Sequence, residues 1–172
     1  MQTEASTQAL GTSAALERAA AQLAQARFVV FRGLPGSGKT TLARLLAQGH
    51  GFRLFEADQH FERPEGYCYD PARVADAHAA CVRAALEALE AGARVAVANT
   101  HVRRWELAAA LGVARLAGVE VDLVECTGAW PNVHGVDHAT LEAMAKRWEV
   151  LPRGCVARLW RWDGGRLELE TG

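Results

Sequence analysis

No stretch of this sequence approaches the roughly 20 apolar residues that a helix needs to cross a bilayer. Its first residues lack the basic-then-apolar pattern of an export signal. The expectation is a soluble, cytoplasmic protein with no membrane partner. Cysteine is sparse, and Cys68, Cys81, Cys126 and Cys155 form no C-x-x-C pair, which argues against a structural zinc site. Cys81 and Cys126 sit in apolar patterns and read as buried thiols. Surplus positive charge is missing too: 19 Lys and Arg against 20 Asp and Glu leave a formal net charge of −1, with no basic block or aromatic–basic stripe. A protein that wraps a long nucleic acid must neutralise many phosphates. An extended nucleic-acid platform is therefore not expected, while a pocket for a single phosphate or a short strand end stays open. Apolar residues are plentiful: at 50% hydrophobic and 23% charged, the chain is not a disordered one, and 172 residues suit a single domain with a substantial core.

The stretch that carries most meaning is Gly33-Leu-Pro-Gly-Ser-Gly-Lys-Thr40, which completes the pattern G-x-x-x-x-G-K-[ST]. The apolar run Phe28-Val-Val-Phe31 leads into it, and Thr41-Leu-Ala-Arg-Leu-Leu-Ala47 leaves it as a helix. In that strand–turn–helix frame, backbone N–H groups and a helix N-terminus surround a phosphate chain. The phosphate-binding residues are then Gly33, Leu34, Pro35, Gly36, Ser37, Gly38, Lys39, Thr40 and Thr41. Lys39 is expected to bridge the β- and γ-phosphates, and Thr40 to offer its hydroxyl to Mg²⁺.

Along the chain, residues 1–12 read as a polar tail and 13–172 as one domain. Periodicity predicts a helix over 13–26 capped by Ser13, a strand over 28–32, a helix over 39–47 stopped by Gly49 and Gly51, and a strand over 52–55. Asp70-Pro71 is a strong helix start, and that helix runs to a stop at Gly92. Val95 to Val97 and Val119 to Val124 are strands, separated by a helix that Thr100 can cap. A short helix over 138–148 and a hairpin of 156–162 with 167–169 close the chain. Strands alternating with helices predict an α/β fold: a three-layer sandwich on a mainly parallel sheet, with ligands at the C-terminal edge. Three loops leave that edge: 33–40, 57–70 and 98–104.

Those loops hold the candidate catalytic residues apart from Arg147, which lies in the late helix. Asp58 follows the second strand directly, where a carboxylate can take the proton of an attacking hydroxyl or organise Mg²⁺. His60, Tyr67 and Tyr69 are weaker candidates for an acceptor pocket. Arg103, Arg104 and Arg147 are the cations with the planar fork suited to two phosphate oxygens. Trp105, Trp148, Trp160 and Trp162 read as packing residues.

The chain resembles bacterial P-loop ATPases related to the kinase domain of polynucleotide 5′-hydroxyl kinases and to the nucleotide-binding domain of NEDD4-binding protein 2. The resemblance spans roughly Ala26 to Pro152 and rests on an ordered set of segments. These are Phe31 to Thr41, Ala57-Asp-Gln-His-Phe61, Gly66-Tyr-Cys-Tyr-Asp-Pro71, Asn99 to Glu106, Asn132-Val-His-Gly-Val136 and Met144-Ala-Lys-Arg-Trp-Glu149. It implies a P-loop NTPase fold with a small helical lid, here a candidate at 127–149. It also implies a general base at Asp58 and a lid arginine best matched by Arg147. Two departures stand out: Gln59 follows Asp58 where relatives commonly carry a second acid, and Ala98-Asn-Thr-His101 replaces Asp-Asn-Thr-Asn. The expected function is an ATP- and Mg²⁺-dependent phosphotransferase acting on an acceptor hydroxyl, including the 5′-hydroxyl of a nucleic-acid end. A small-metabolite kinase and a non-catalytic ATP-binding switch or scaffold are the alternatives.

Overall fold

The first strand, β1 (Phe28–Arg32), is buried along its whole length, so neither of its faces sees water. The structure is a computed structural model and describes residues 2–131 and 135–170, with side chains from residue 13 onward. Before β1 comes α1 (Gln2–Leu23), and after it α2 (Lys39–His50), β2 (Phe52–Phe55), the two-residue strands β3 (Glu62–Arg63) and β4 (Gly66–Tyr67), and α3 (Val74–Glu90). Then follow β5 (Arg94–Ala98), α4 (Arg104–Ala117), β6 (Val121–Cys126), α5 (His138–Lys146), β7 (Arg158–Trp162) and β8 (Leu167–Leu169).

The main sheet has the order β2-β5-β1-β6-β7-β8. Every neighbouring pair is parallel except β7 with β8, which form an antiparallel hairpin. The alternation of side chains along β1 assigns them to two cores. Val29 and Phe31 join Leu23, Leu42 and Leu46 of α1 and α2 on one face. Phe28 and Val30 join Cys81, Leu89, Leu107 and Val113 of α3 and α4 on the other. This is the expected three-layer sandwich on a mainly parallel sheet, with the hairpin where the sequence put it. Cys81 and Cys126 are buried free thiols, as expected.

Several boundaries differ from expectation, each for a local reason. The helix expected over 13–26 with Ser13 as its cap instead runs from Gln2 to Leu23. The polar stretch before Ser13 is thus helical rather than a tail; its Ala, Gln, Glu and Leu are good helix formers and no proline interrupts it. Thr100 caps nothing: α4 starts at Arg104, because His101 sits at φ 44° and a left-handed residue breaks a right-handed helix. The strand expected from Val119 starts at Val121. Gly118 is left-handed at φ 64° and the Val119 N–H returns 3.0 Å to the Ala114 carbonyl, so α4's C-cap uses up Val119. At the other end, α5 stops at Lys146 with Arg147 as its C-cap, which releases Trp148 to lie over Arg32.

Candidate active site

The turn between β1 and α2 is shaped by its glycines. Gly36 and Gly38 are left-handed at φ 78° and 88°. A Cβ on Gly33 would come within 2.4 Å of Ser37 Oγ and 2.6 Å of the Cys126 carbonyl, so no side chain fits there. The Gly33 N–H donates to the Thr100 carbonyl at 3.1 Å, fastening the loop to the end of β5. No side chain caps α2, so its first N–H groups are left for an anion.

Two polar groups inside this loop have hydrogen-bonding capacity left over. Ser37 Oγ is buried without a hydrogen bond. Lys39 is half-buried, and its Nζ donates to the Leu34 carbonyl at 3.2 Å. Burial holds the Lys39 ammonium below the usual lysine range, against the pull of nearby Glu56 and Asp58. A polyphosphate would complete both groups, so the residues present fit one.

Thr40 Oγ1 donates to Glu56 Oε1 at 2.6 Å. Glu56, at the exit of β2, was not a sequence candidate; its only signal was an acid two residues before Asp58. Thr40, Glu56 and Asp58 are hard oxygen donors of the kind Mg²⁺ prefers. Among the described residues no cluster of three or more His, Cys, Asp or Glu is arranged to hold a metal. A cation at Thr40 would accordingly share its coordination with phosphate oxygens and water.

Asp58 lies in a single 3₁₀ turn, Ala57–Phe61, and is exposed. Tyr67 Oη donates to its Oδ1 at 3.3 Å. Partial burial and the Asp58 carboxylate push the Tyr67 phenol up to about 12, so it remains a proton donor across the physiological range. Phe61 packs edge-on against Tyr67 and tilted against Tyr69, which makes an aromatic wall beside the carboxylate. His60 Nε2 lies 2.8 Å from Arg73 Nη2 at the edge of that wall. Asn99, also missed by the sequence reading of roles, fixes the turn from below: its Oδ1 accepts the Ala57 N–H at 2.9 Å.

Among the described residues, the hydrogen bonds of the candidate arginines run to other partners. Arg104 gives both its backbone N–H (2.9 Å) and its Nε (3.4 Å) to Glu149 Oε2, and that donation draws the Glu149 carboxyl below its ordinary range. Arg147 is exposed and its Nε returns to the Ala143 carbonyl of its own helix at 3.1 Å. Arg103 is exposed at the N-cap of α4. Of the Asn132-Val-His-Gly-Val136 segment, Asn132 to His134 lie outside the described residues. The cation that the structure does place beside the loop is Arg32, wholly buried at the end of β1. It pairs with Glu125, its register partner on β6, at 3.3 Å and reaches the Val102 and Glu149 carbonyls at 3.1 Å each. It therefore ties the strand that feeds the phosphate loop to the segment after α5. A groove of about 960 Å³ between α1 and β8 has no phosphate-loop residue in its lining.

A glycine loop with free helix N–H groups, a lysine and a threonine behind a buried parallel strand is the P-loop arrangement, and the sequence profile described as an AAA domain matches residues 28–134. The chain belongs to the AAA domain family. The match begins at the first residue of β1 and takes in the phosphate loop, Glu56, Asp58 and Asn99. Among solved structures, this AAA domain chain is similar to a sugar kinase from Janibacter sp. HTCC2649, at 19% identity over 81% of this chain and 86% of that one, with a TM-score of 0.56. Kti12 from Chaetomium thermophilum, solved with ADP-AlF3, gives 16% identity over 79% and 88%, with a TM-score of 0.54. A gluconokinase from Sinorhizobium meliloti 1021 gives 18% over 80% and 82%, with a TM-score of 0.51. At these identities the likeness is one of fold: a kinase-like P-loop sandwich.

Proposed function

We propose that this chain is an ATP-dependent phosphotransferase that moves the γ-phosphoryl group to an acceptor hydroxyl. One observation carries the reading. The 2.6 Å bond from Thr40 to Glu56 joins the phosphate loop to the segment that presents Asp58, so donor and acceptor groups are built as one unit. Lys39 and the N–H groups at the start of α2 would hold the phosphates and balance the charge that spreads over them during transfer. Mg²⁺ bound at Thr40 would neutralise the β- and γ-oxygens.

Asp58 faces the acceptor. Its Oδ1 already accepts from Tyr67, leaving Oδ2 to take the proton of the acceptor hydroxyl. As that proton leaves, the acceptor oxygen forms its bond to the γ-phosphorus and the bond from phosphorus to the β–γ bridging oxygen breaks. The products are the phosphorylated acceptor, ADP and a proton carried by Asp58. The resemblance to polynucleotide kinases favours a 5′-hydroxyl end as acceptor, and the aromatic wall of Phe61, Tyr67 and Tyr69 suits a base or sugar ring. A small-metabolite acceptor is the second reading, favoured by the absence of a basic stripe and by the sugar kinase and gluconokinase among the similar structures.

The test is transfer from γ-labelled ATP to a panel of 5′-hydroxyl oligonucleotides, nucleosides and sugars. Label on an oligonucleotide end supports the first acceptor class, and label on sugars or mononucleosides alone supports the second. No labelled acceptor, with ATP binding verified, would leave the ATP-binding switch as the better account.

A further inference from the structure

The strand order divides the surroundings of the phosphate loop into two sides. β5 and β2 lie on one side of β1 and bring Asp58 with its aromatic turn; β6 and β7 lie on the other. A triphosphate stretched along the loop with its terminal phosphorus toward Asp58 must run its nucleoside end toward the β6–β7 side. Trp130, in the chain leaving β6, stands there.

It packs against the core beneath α1 and α2, and backbone groups fix where it sits over the loop. The Trp130 N–H donates to the Gly36 carbonyl inside the phosphate loop at 2.8 Å. The six-membered edge of its indole sits in a notch made by three glycines from separate segments: Gly38 at the start of α2, Gly128 after β6 and Gly164 in the β7–β8 turn. A Cβ on these would lie 2.5, 1.9 and 2.6 Å from the nearest ring carbon, closer than real Cβ atoms come, so the ring rests directly on main chain at all three. The indole nevertheless remains only half-buried. An aromatic ring anchored to the loop itself, on the side where the nucleoside must lie and still open to solvent, is a stacking surface.

We propose that Trp130 is the platform on which the base of the donor nucleotide stacks. The inference rests on the phosphotransferase reading, which gives the triphosphate its direction. Its contribution is to the nucleoside end alone, so it separates nucleotides from bare polyphosphate. Stacking uses the π face that every base has, so the platform favours a nucleoside triphosphate without choosing strongly among bases.

Calorimetric titration with ATP and with inorganic tripolyphosphate, each with Mg²⁺, tests this on the full chain and on Trp130→Ala and Trp130→Phe, with melting curves as the check on folding. Trp130→Ala is expected to weaken ATP binding about tenfold, as loss of one stacked base does, and to leave tripolyphosphate within about twofold. Trp130→Phe is expected to restore most of the ATP affinity. If the alanine variant does not fold, Trp130→Leu, which fills the notch without a π face, carries the same comparison. Equal weakening of both ligands would mean that Trp130 only braces the loop and would overturn the stacking role. Unchanged or tighter ATP binding would overturn it as well. Failure of the unmodified chain to bind either ligand would sink the phosphotransferase reading itself, and this inference with it.

Discussion

Asn99 Oδ1 accepts the backbone N–H of Ala57 at 2.9 Å, so the residue just before Asp58 is pinned to the end of β5. The amide nitrogen of Asn99 meets Cys81 Sγ of α3 at 3.6 Å, so the side chain is held at both ends. Asn99→Leu keeps the volume but leaves the Ala57 N–H unsatisfied, at a cost of about 1–3 kcal/mol. The expected outcome is a fall in turnover of about tenfold, as reacting groups lose alignment, with ATP affinity unchanged. Titration calorimetry alongside phosphoryl-transfer kinetics checks the split. Loss of ATP affinity in step with turnover would show that Asn99 supports the fold generally rather than Asp58.

Asp58 and Lys39 are expected to fail in different ways. Asp58→Asn should bind ATP within about twofold of the unmodified chain and lose acceptor phosphorylation by about 100-fold or more, the usual share of a general base. Lys39→Ala should instead lose nucleotide binding, because it removes the half-buried ammonium at the phosphate loop, whose Nζ donates to no more than the Leu34 carbonyl among the described residues. Labelled-acceptor assays and binding titrations on the same preparations read both. Full activity in Asp58→Asn would remove Asp58 from the mechanism.

Glu56 acts through Thr40. If the 2.6 Å bond between them orients the threonine hydroxyl toward Mg²⁺, Glu56→Gln should raise the Mg²⁺ concentration needed for half-maximal activity about tenfold or more. ATP binding measured without the metal should not move. A Mg²⁺ titration of activity decides it; a metal dependence like that of the unmodified chain would confine Glu56 to capping its own turn.

His101 should make the protein sensitive to acid. It is buried, and its pKa is lowered to about 3 from 6.5, chiefly by burial, with His78, Arg32 and Lys39 opposing its charge and the Glu106 backbone favouring it. Between those two values the unfolded chain binds more protons than the folded one, so stability rises with pH. The contribution is full above about pH 6.5 and is lost as pH falls toward 3. At pH 5 the loss from this group comes to about 2 kcal/mol. His101→Asn suits the left-handed backbone at φ 44° and should flatten that part of the curve. Urea denaturation at pH 7, 6 and 5 compares the two; parallel curves would show that His101 is not buried neutral.

What the sequence disclosed was whatever is encoded within a few consecutive residues. The apolar run Phe28 to Phe31 and the glycine loop act locally and were legible. Asp70-Pro71 was legible as a cap, since Asp70 Oδ1 accepts the Ala72 N–H, but it opens a 3₁₀ turn and α3 itself begins only at Val74. Helix ends were less so, because a cap competes with its neighbours: Gly118 captured Val119 for α4, and His101 turned left-handed where Thr100 was expected to begin a helix. The arginines marked another limit. Position in the sequence put Arg103 and Arg104 at a strand end and Arg147 in a late helix, yet Arg104's partner, Glu149, lies 45 residues away and only the fold brings them together. Glu56 opposite Thr40, Glu125 opposite Arg32 and the glycines around Trp130 are likewise products of chain crossing, each joining segments that carry no mutual signal in sequence.

The notch around Trp130 also constrains the order in which this protein could change. Gly128 has no left-handed backbone to protect, and the three atoms nearest a Cβ there all belong to the Trp130 indole. While the tryptophan is present, an alanine at Gly128 must push the ring off the phosphate loop. Once the tryptophan is lost, the closest contacts that alanine would meet go with it, and a descendant that has accepted it can no longer recover the tryptophan by a single step. A residue that rests on bare main chain is easily given up and hard to regain, and lineages that keep Trp130 should be recognisable by the glycines they have been unable to lose.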